Sequence, residues 1–345
     1  MKQKKITMQY IADQLNISKN SVSQALSGKP GVSEDTRKRI EKAAEELGYH
    51  YTTNKKQSPR KRGNIALLAS DFAFSQKGFF GEIYLSVQRE VAKRGMNLVI
   101  QSIDDESRDR LILPSFFEYD TIDGVIIISH ISTEYINRIL STGIPTVLID
   151  HHHPFNCTDA ILLNNRFAAY TATHHLIELG HKQIGFMGDV ERSPSYQERL
   201  EGYTLALKEH GIPLERDHIL ADIKEREEDV STALDKLKEQ PTAWFCVNDG
   251  FGFLVLTHLQ ALGYKIPNDL SVCSFDNGPL SRLSKPKITT FNVDLELYGR
   301  KAVEQLYWRM DNPTEPLQET LLHTSLVKRE STGPAPARDT NKRKS

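Results

Sequence analysis

The chain has 345 residues, 39% of them hydrophobic and 26% charged, with a formal net charge of −1. That length is enough for two or three compact units with sizeable cores, and the composition is ordinary for a soluble protein. No apolar run nears the ~20 residues that cross a bilayer, and no charged-then-apolar leader opens the chain, so the expectation is a cytoplasmic protein with no membrane partner. The small net charge hides an asymmetry. Residues 1–63 carry 14 Lys and Arg against 6 Asp and Glu, while the remainder carries 30 against 39. A basic head on an acidic body suits a polyanionic partner for the head alone. Cys157, Cys246 and Cys273 are odd in number and lack C-x-x-C spacing, which implies neither a disulfide framework nor a zinc knuckle.

Thr7 to Leu26, TMQYIADQLNISKNSVSQAL, reads as two short helices with a tight break at Asn16-Ile17. Ile11, Ala12 and Leu15 make one apolar face and Val22, Ala25 and Leu26 a second. Ser18 and Ser21 are placed to cap the second helix, whose first N–H groups have no partner within it. Such a pair is a helix-turn-helix, with Lys19, Asn20 and Gln24 on the outer side of the second helix. A helix of this size fits the major groove, and Asn and Gln can each grip an adenine edge with two hydrogen bonds. A third helix follows: Ser33, then the acidic turn Glu34-Asp35, then Ile40, Ala43, Ala44 and Leu47 at helical spacing, with Gly48 as the stop.

These pieces resemble the headpiece of the lactose/galactose repressor (LacI/GalR) family. The match is carried by Thr7-x-x-x-Ile11-Ala12, the break at Asn16-Ile17-Ser18, Ser21-Val22-Ser23, Val32-Ser33-x-x-Thr36-Arg37 and Glu46-Leu47-Gly48-Tyr49, in order and at the family's spacing. Residues 51–63 then form a basic linker with Lys55, Lys56, Arg60, Lys61 and Arg62. The resemblance implies a linker helix with a leucine wedge in the minor groove, but that position here is Ser58, followed by Pro59, and nothing nearby is a good apolar wedge. We expect the linker to hold phosphates or the minor groove by charge.

From Asn64 short apolar runs alternate with helical segments. The runs are Ile65–Ala69, Leu98–Ile100, Val125–Ile128 and Thr146–Ile149, then Gln183–Met187, His218–Ala221, Ala243–Val247 and Leu270–Phe275. Alternating buried strands and helices argue for parallel sheets covered on both faces, and two sets argue for two doubly wound lobes. Leu179-Gly180-His181, Glu198-Arg199-Leu200-x-Gly202-Tyr203, Asn248-Asp249, Pro267-x-Asp269-Leu270-Ser271-Val272 and Ser274-Phe275-Asp276 resemble the same family's second lobe. The implied fold is an all-α helix-turn-helix headpiece plus an α/β body of two doubly wound parallel-sheet lobes of periplasmic-binding-protein type. The expected boundaries are a headpiece at 1–50, the linker at 51–63, a first lobe at 64–163 plus about 292–318, a second lobe at 164–291 plus about 319–330, and a disordered tail at 331–345. The tail has no heptads, so a homodimer is expected rather than a coiled-coil tetramer.

In open α/β lobes, ligands sit at the carboxyl ends of the strands. Asp150, Asn248 and Asp276 end strands, and Arg199 lies on a helix at a position where relatives hold a ligand. Carboxylate, amide and guanidinium groups each bond two adjacent hydroxyls, which is what a polyhydroxyl ligand needs. By resemblance Ser129 and Ser195 join them, and Phe79 and Phe80 are candidates to stack on a sugar's apolar face. Positions where relatives carry a stacking tryptophan or an extra amide are Val230 and Val293 here. The expected DNA-binding set is Thr7, Ser18, Lys19, Asn20, Ser21, Gln24, Ser33, Lys55 and Lys56. His151-His152-His153 is not expected to bind metal, because adjacent side chains on a strand or loop diverge. No G-x-S-x-G, P-loop or paired-carboxylate signature is present, so neither an enzyme nor a cofactor is expected.

The function this implies is a sequence-specific transcription regulator, usually a repressor in this family, on a near-palindromic double-stranded operator, controlled by a small carbohydrate-like effector between the lobes. Control by a partner protein is the alternative within the class, and a cytoplasmic sugar-binding protein without regulatory duty the alternative outside it. If the linker binds by charge, changing Lys55, Lys56 and Arg60 together to Ala flattens the salt dependence of operator affinity, by about three in the slope of log K against log salt; a slope equal to the parent's refutes this.

Overall fold

The computed structural model describes residues 7–26, 31–47, 49, 63–75, 78–119, 121–129 and 131–337. Gly48 and the linker residues Lys55, Lys56, Ser58 and Arg60 lie outside these. The chain divides into two compact units, residues 1–62 and 63–345.

In the first unit, α1 (Met8–Leu15), α2 (Lys19–Leu26) and α3 (Glu34–Glu46) close on a small core of Ile11, Ala12, Val22, Ala25, Ile40 and Ala44. Three hydroxyls satisfy N-terminal backbone groups: Thr7 accepts from the Tyr10 N–H at 3.2 Å, Ser18 from Ser21 at 3.0 Å and Ser33 from Thr36 at 3.4 Å. Asn16 makes the break between α1 and α2 in the left-handed region, φ 53°, which Asn tolerates better than other side chains. At the far end of α2, Arg37 donates to the Ala25 carbonyl at 2.6 Å, a cation on the negative end of the helix.

The second unit contains two six-stranded sheets. In the first lobe β1 (Asn64–Ser70), α4 (Asp71–Ser75), α5 (Phe80–Lys93), β2 (Asn97–Ile103), α6 (Asp105–Asp109), β3 (Gly124–Ile128), α7 (Thr133–Leu140), β4 (Thr146–Ile149) and β5 (Asp159–Leu163) follow in order. The second lobe has α8 (Asn165–Glu178), β6 (Ile184–Met187), α9 (Pro194–Glu209), β7 (Ile219–Leu220), α10 (Glu227–Asp235), β8 (Ala243–Cys246), α11 (Asp249–Ala261), β9 (Ser271–Asp276), α12 (Pro279–Leu283) and β10 (Thr289–Asn292). The chain returns to the first lobe through α13 (Leu295–Asp311) and β11 (Glu319–Leu322), then crosses again to β12 (Ser325–Val327). The strand orders are β2-β1-β3-β4-β5-β11 and β7-β6-β8-β9-β10-β12, parallel throughout except for β12 against β10. Both orders reverse next to the first strand of the lobe, the doubly wound pattern read from the alternating apolar runs. β1, β3, β4 and β5 are almost wholly buried because helices cover both faces.

Two boundaries differ from those expected. Residues 319–322 stay with the first lobe, because β11 pairs in parallel with β5, Glu319 beside Ala160 and Leu322 beside Leu163. As an edge strand it alternates exposed and half-buried positions, so no continuous apolar run marked it. Residues 331–337 are not a disordered tail. Ser331 is fully buried; its hydroxyl donates to the Val272 carbonyl at 2.5 Å and accepts from the Thr289 N–H at 2.8 Å. The Ala335 N–H reaches the Leu179 carbonyl at 2.8 Å, and buried His181 places Nε2 3.1 Å from the Gly333 carbonyl. The polar, proline-bearing composition concealed a segment held by backbone bonds instead of apolar contacts.

The return helix is fixed by one buried ion pair. Arg309 on α13 donates from Nε and Nη2 to both oxygens of Asp159 at 2.8 Å, and its remaining N–H groups reach the carbonyls of Asn312, Glu315 and Pro316. Burial would raise the Asp159 carboxyl, but the hydrogen bonds from Arg309 hold it below its usual value. Removing one partner strands the other as a buried charge. Arg309→Met is therefore expected to destabilise the two-lobed unit by about 3–5 kcal/mol in urea titration, whereas neutralising exposed Arg110, paired with Glu106, changes it by about 0.5 kcal/mol or less.

Candidate functional site

The carboxyl ends of the two sheets face each other across a cleft. Phe79, Phe80, Ser129 and Asp150 line it from the first lobe, and Arg192, Ser193, Tyr196, Arg199, Asn248 and Asp276 from the second. Three of these sit immediately past or at the end of a strand with positive φ: Ser129 at 64°, Asp150 at 57° and Asp276 at 107°. Left-handed backbone ends each strand and turns its side chain out of the sheet. Such sparsely populated conformations concentrate at binding sites. Phe79 and Phe80 meet edge to face, ring centroids 5.0 Å apart, with Phe80 the more buried at 9% exposure.

Arg199 is the centre of the cleft and is 2% exposed. Its Nε donates to Asn165 Oδ1 at 3.0 Å and its Nη1 to the Val247 carbonyl at 2.5 Å. The guanidinium lies 3.7 Å from the centroid of the Phe275 ring and 5.4 Å from that of Tyr196. Asp276 stands 3.9 Å away. Burial pushes the Asp150 carboxyl up to about 6, against the pull of Arg199 and of the Ser195 hydroxyl, which donates to Asp150 at 3.1 Å. Burial also drives the Asp276 carboxyl well above the usual carboxylate range despite Arg199.

Asn248 is more committed than its place after β8 suggested. Its Oδ1 accepts from the Phe251 N–H and so caps α11, while its Nδ2 donates to the Tyr196 hydroxyl and to Glu225, each at 2.8 Å. Ser195 lies behind the wall, bonded to Asp150, rather than on the surface of the recess. The three adjacent histidines diverge. His151 turns inward to Asn156 at 3.1 Å, and the His153 ring sits 5.3 Å from Phe155. His152 joins the lobes, Nε2 2.8 Å from Glu198 on α9 and Nδ1 3.2 Å from Glu319 on β11. The Glu198 hydrogen bond raises His152 to about 9, ahead of the opposing cost of burial.

In the headpiece, Lys19 and Asn20 are exposed on the first turn of α2, and Ser21 and Gln24 are partly covered. The Gln24 side chain lies against Gly31, which has φ +118° and where an added Cβ would come within 3.0 Å of its Oε1. Thr7, Ser18 and Ser33 are exposed, and their hydroxyls already serve as helix caps.

Residues 7–51 match the model of the bacterial regulatory proteins of the lacI family, and residues 173–332 match a periplasmic binding protein-like domain. The probable HTH-type transcriptional repressor ExuR of Bacillus subtilis is 27% identical over 94% of this chain and 98% of its own. The ribose operon repressor of Haemophilus influenzae is 29% identical over 94% and 98%. A crystal structure of a LacI family transcriptional regulator from Enterococcus faecium with bound ribose superimposes with a TM-score of 0.68 at 25% identity, covering 79% of this chain and 99% of that one. This chain belongs to the LacI family. It is a DNA-binding regulator of that family, and a helix-turn-helix followed in the chain by a two-lobed α/β unit is the LacI-family architecture. No helix among the described residues is long and apolar enough to cross a membrane.

Four residues around the cleft of this LacI-family protein escaped the sequence reading: Tyr196, Arg192 and Ser193 on its wall, and Glu225 against Asn248. Tyr196 had a findable signal, one turn before Arg199 on α9. Glu225 had none, since it lies in a charged loop that reads as surface.

The Asp150 position yields a pH prediction. A carboxyl raised in the folded protein opposes folding once ionised, so its cost is absent below about pH 4, grows as pH rises and is complete above about pH 6. Asp150→Asn is therefore expected to raise thermal stability above pH 6, by up to about 3 kcal/mol, and to have no effect near pH 4. Scanning calorimetry of both proteins across that range checks the sign; a gain independent of pH refutes the assignment.

Proposed function

We propose that this LacI-family protein is a repressor that acts as a homodimer on a near-palindromic operator, with a small carbohydrate-like effector bound between its lobes. The observation that carries the effector reading is the convergence of Asp150, Asp276 and one edge of Arg199 with the Phe79 ring in one recess at the strand ends. Carboxylates and a guanidinium supply paired acceptors and donors for neighbouring hydroxyls, and an aromatic face suits a sugar's C–H surface. The names of relatives support the same class: one is a ribose operon repressor, and one crystallised with ribose. The lobes already touch through Ser195 to Asp150 and through His152 to Glu198. A ligand inserted there exchanges these bonds for its own, favours one lobe arrangement, and so biases operator affinity by its differential affinity for the two.

On the DNA side Lys19, Asn20 and Gln24 are the proposed base-reading residues, with Thr7, Ser18, Ser21 and Ser33 beside the phosphates. Many family members have arginine at the Gln24 position. An amide there favours an adenine edge, where a guanidinium favours guanine. Selection of binding sites from random duplexes is expected to return an inverted repeat, and Gln24→Arg is expected to change one base pair in each half-site by about 1–3 kcal/mol of preference. Identical selected sequences for the two proteins refute the Gln24 assignment, and failure to retain any duplex at low salt refutes the regulator reading.

A further inference from the structure

The junction between the lobes holds a chain of hydrogen bonds that ends on Arg199. It starts at His152, which follows β4 in the first lobe. Its Nε2 lies 2.8 Å from Glu198 Oε1 on α9 of the second lobe, and its Nδ1 lies 3.2 Å from Glu319 Oε1 on β11 of the first. An ionised carboxylate only accepts, so a ring that meets one at each nitrogen must donate from both, and only the imidazolium can. Glu198 uses its second oxygen, Oε2, to accept from Asn165 Nδ2 at 3.0 Å. Asn165 Oδ1 in turn accepts from Arg199 Nε at 3.0 Å. Asn165 is buried and is the first residue of α8, where the chain enters the second lobe.

Each link sets the direction of the next. Turning the Asn165 amide over would place its NH2 group against the Arg199 N–H and its oxygen against the Glu198 carboxylate, exchanging two bonds for two repulsions. Glu198 therefore fixes the amide, and the amide gives Arg199 Nε its acceptor. Burial would raise the Glu198 carboxyl, but the hydrogen bonds from His152 and Asn165 and the charge of His152 hold it below its usual value, with Arg199 the other cation acting on it. Glu198 and Glu319 are the charged groups bonded to His152 among the described residues. The cation that opens this chain belongs to one lobe, and the arginine that closes it belongs to the other.

We propose that His152 is a positioning residue for Arg199: as an imidazolium held between Glu319 of its own lobe and Glu198 of the other, it fixes the Glu198–Asn165–Arg199 chain across the junction. Its bearing on the effector rests on the reading of Arg199 given above. A lobe arrangement that draws His152 away from Glu198 loosens the guanidinium, so the cleft is fully formed only while the lobes meet.

NMR of the ligand-free full-length protein tests this without an effector. Its failure therefore leaves the carbohydrate reading standing, and titration with sugars tests that reading separately. The histidine ring signal that disappears in His152→Gln is expected to titrate in the parent with a midpoint of about 9. In Glu198→Gln that midpoint is expected to fall by roughly one pH unit or more. The Arg199 Nε–H, assigned by its loss in Arg199→Lys, is expected to exchange with water about tenfold or more faster in His152→Gln and in Glu198→Gln than in the parent, at about pH 6.5. The Nε–H of Arg309, held by Asp159 in the first lobe, is the control and is expected to change by less than about twofold. A parent midpoint in the ordinary histidine range near ~6.5 overturns the proposal. So does an Arg199 N–H that exchanges at the parent's rate in both variants, and so does equal acceleration of both arginines, which is general loosening and not loss of a relay.

Discussion

A buried guanidinium organises this molecule's two-lobed unit. Arg199 has left water, so its charge must be compensated where it lies. Asn165 and the Val247 carbonyl take two of its donors, aromatic rings cover its face, and the carboxylates of Asp276 and Asp150 gather around it. Each partner comes from a different element: the start of α8, the end of β8, the end of β9 and the end of β4. The charge therefore ties four strand or helix ends to one point. The raised carboxyls beside it follow from the same fact, since one cation cannot fully offset the desolvation of two acids.

Much of this was legible in the residues. Alternating apolar runs marked most of the parallel strands, because strands buried on both faces leave an unbroken hydrophobic signal. Residues that end strands, Asp150 and Asp276 above all, were visible as polar groups directly after such runs. Arg199 was visible only through its resemblance to a family motif; E-R-x-x-G by itself reads as a surface ion pair. The failures share a cause. β11 is an edge strand with half its residues in solvent, and residues 331–337 are held by backbone and hydroxyl bonds, which leave no hydrophobic trace. Asn248 was placed correctly in the chain, but its amide is spent on Tyr196, Glu225 and the cap of α11, a detail of geometry that no local pattern encodes.

The headpiece follows a different logic. Its core is six small or medium side chains, too few to stabilise much by burial alone, and its helix ends are correspondingly well finished. Thr7, Ser18 and Ser33 satisfy backbone donors, Asn16 turns the chain between α1 and α2, and Arg37 closes the end of α2. The same three hydroxyl residues are exposed, as are Lys19 and Asn20. The capping residues are among those we propose to face the phosphates, because a helix N-terminus that needs an oxygen acceptor from its own chain also attracts an oxygen from outside.

The threading of the two lobes has a genetic corollary. The polypeptide passes between the sheets after β5, after β10 and after β11, so neither lobe is encoded by one uninterrupted stretch. Recombination that exchanged codons 64–163 alone would deliver a sheet without its edge strand and without the helix anchored by Arg309 and Asp159. Evolution can therefore swap the reading head of such a protein at a single junction. It must retune the two-lobed half residue by residue.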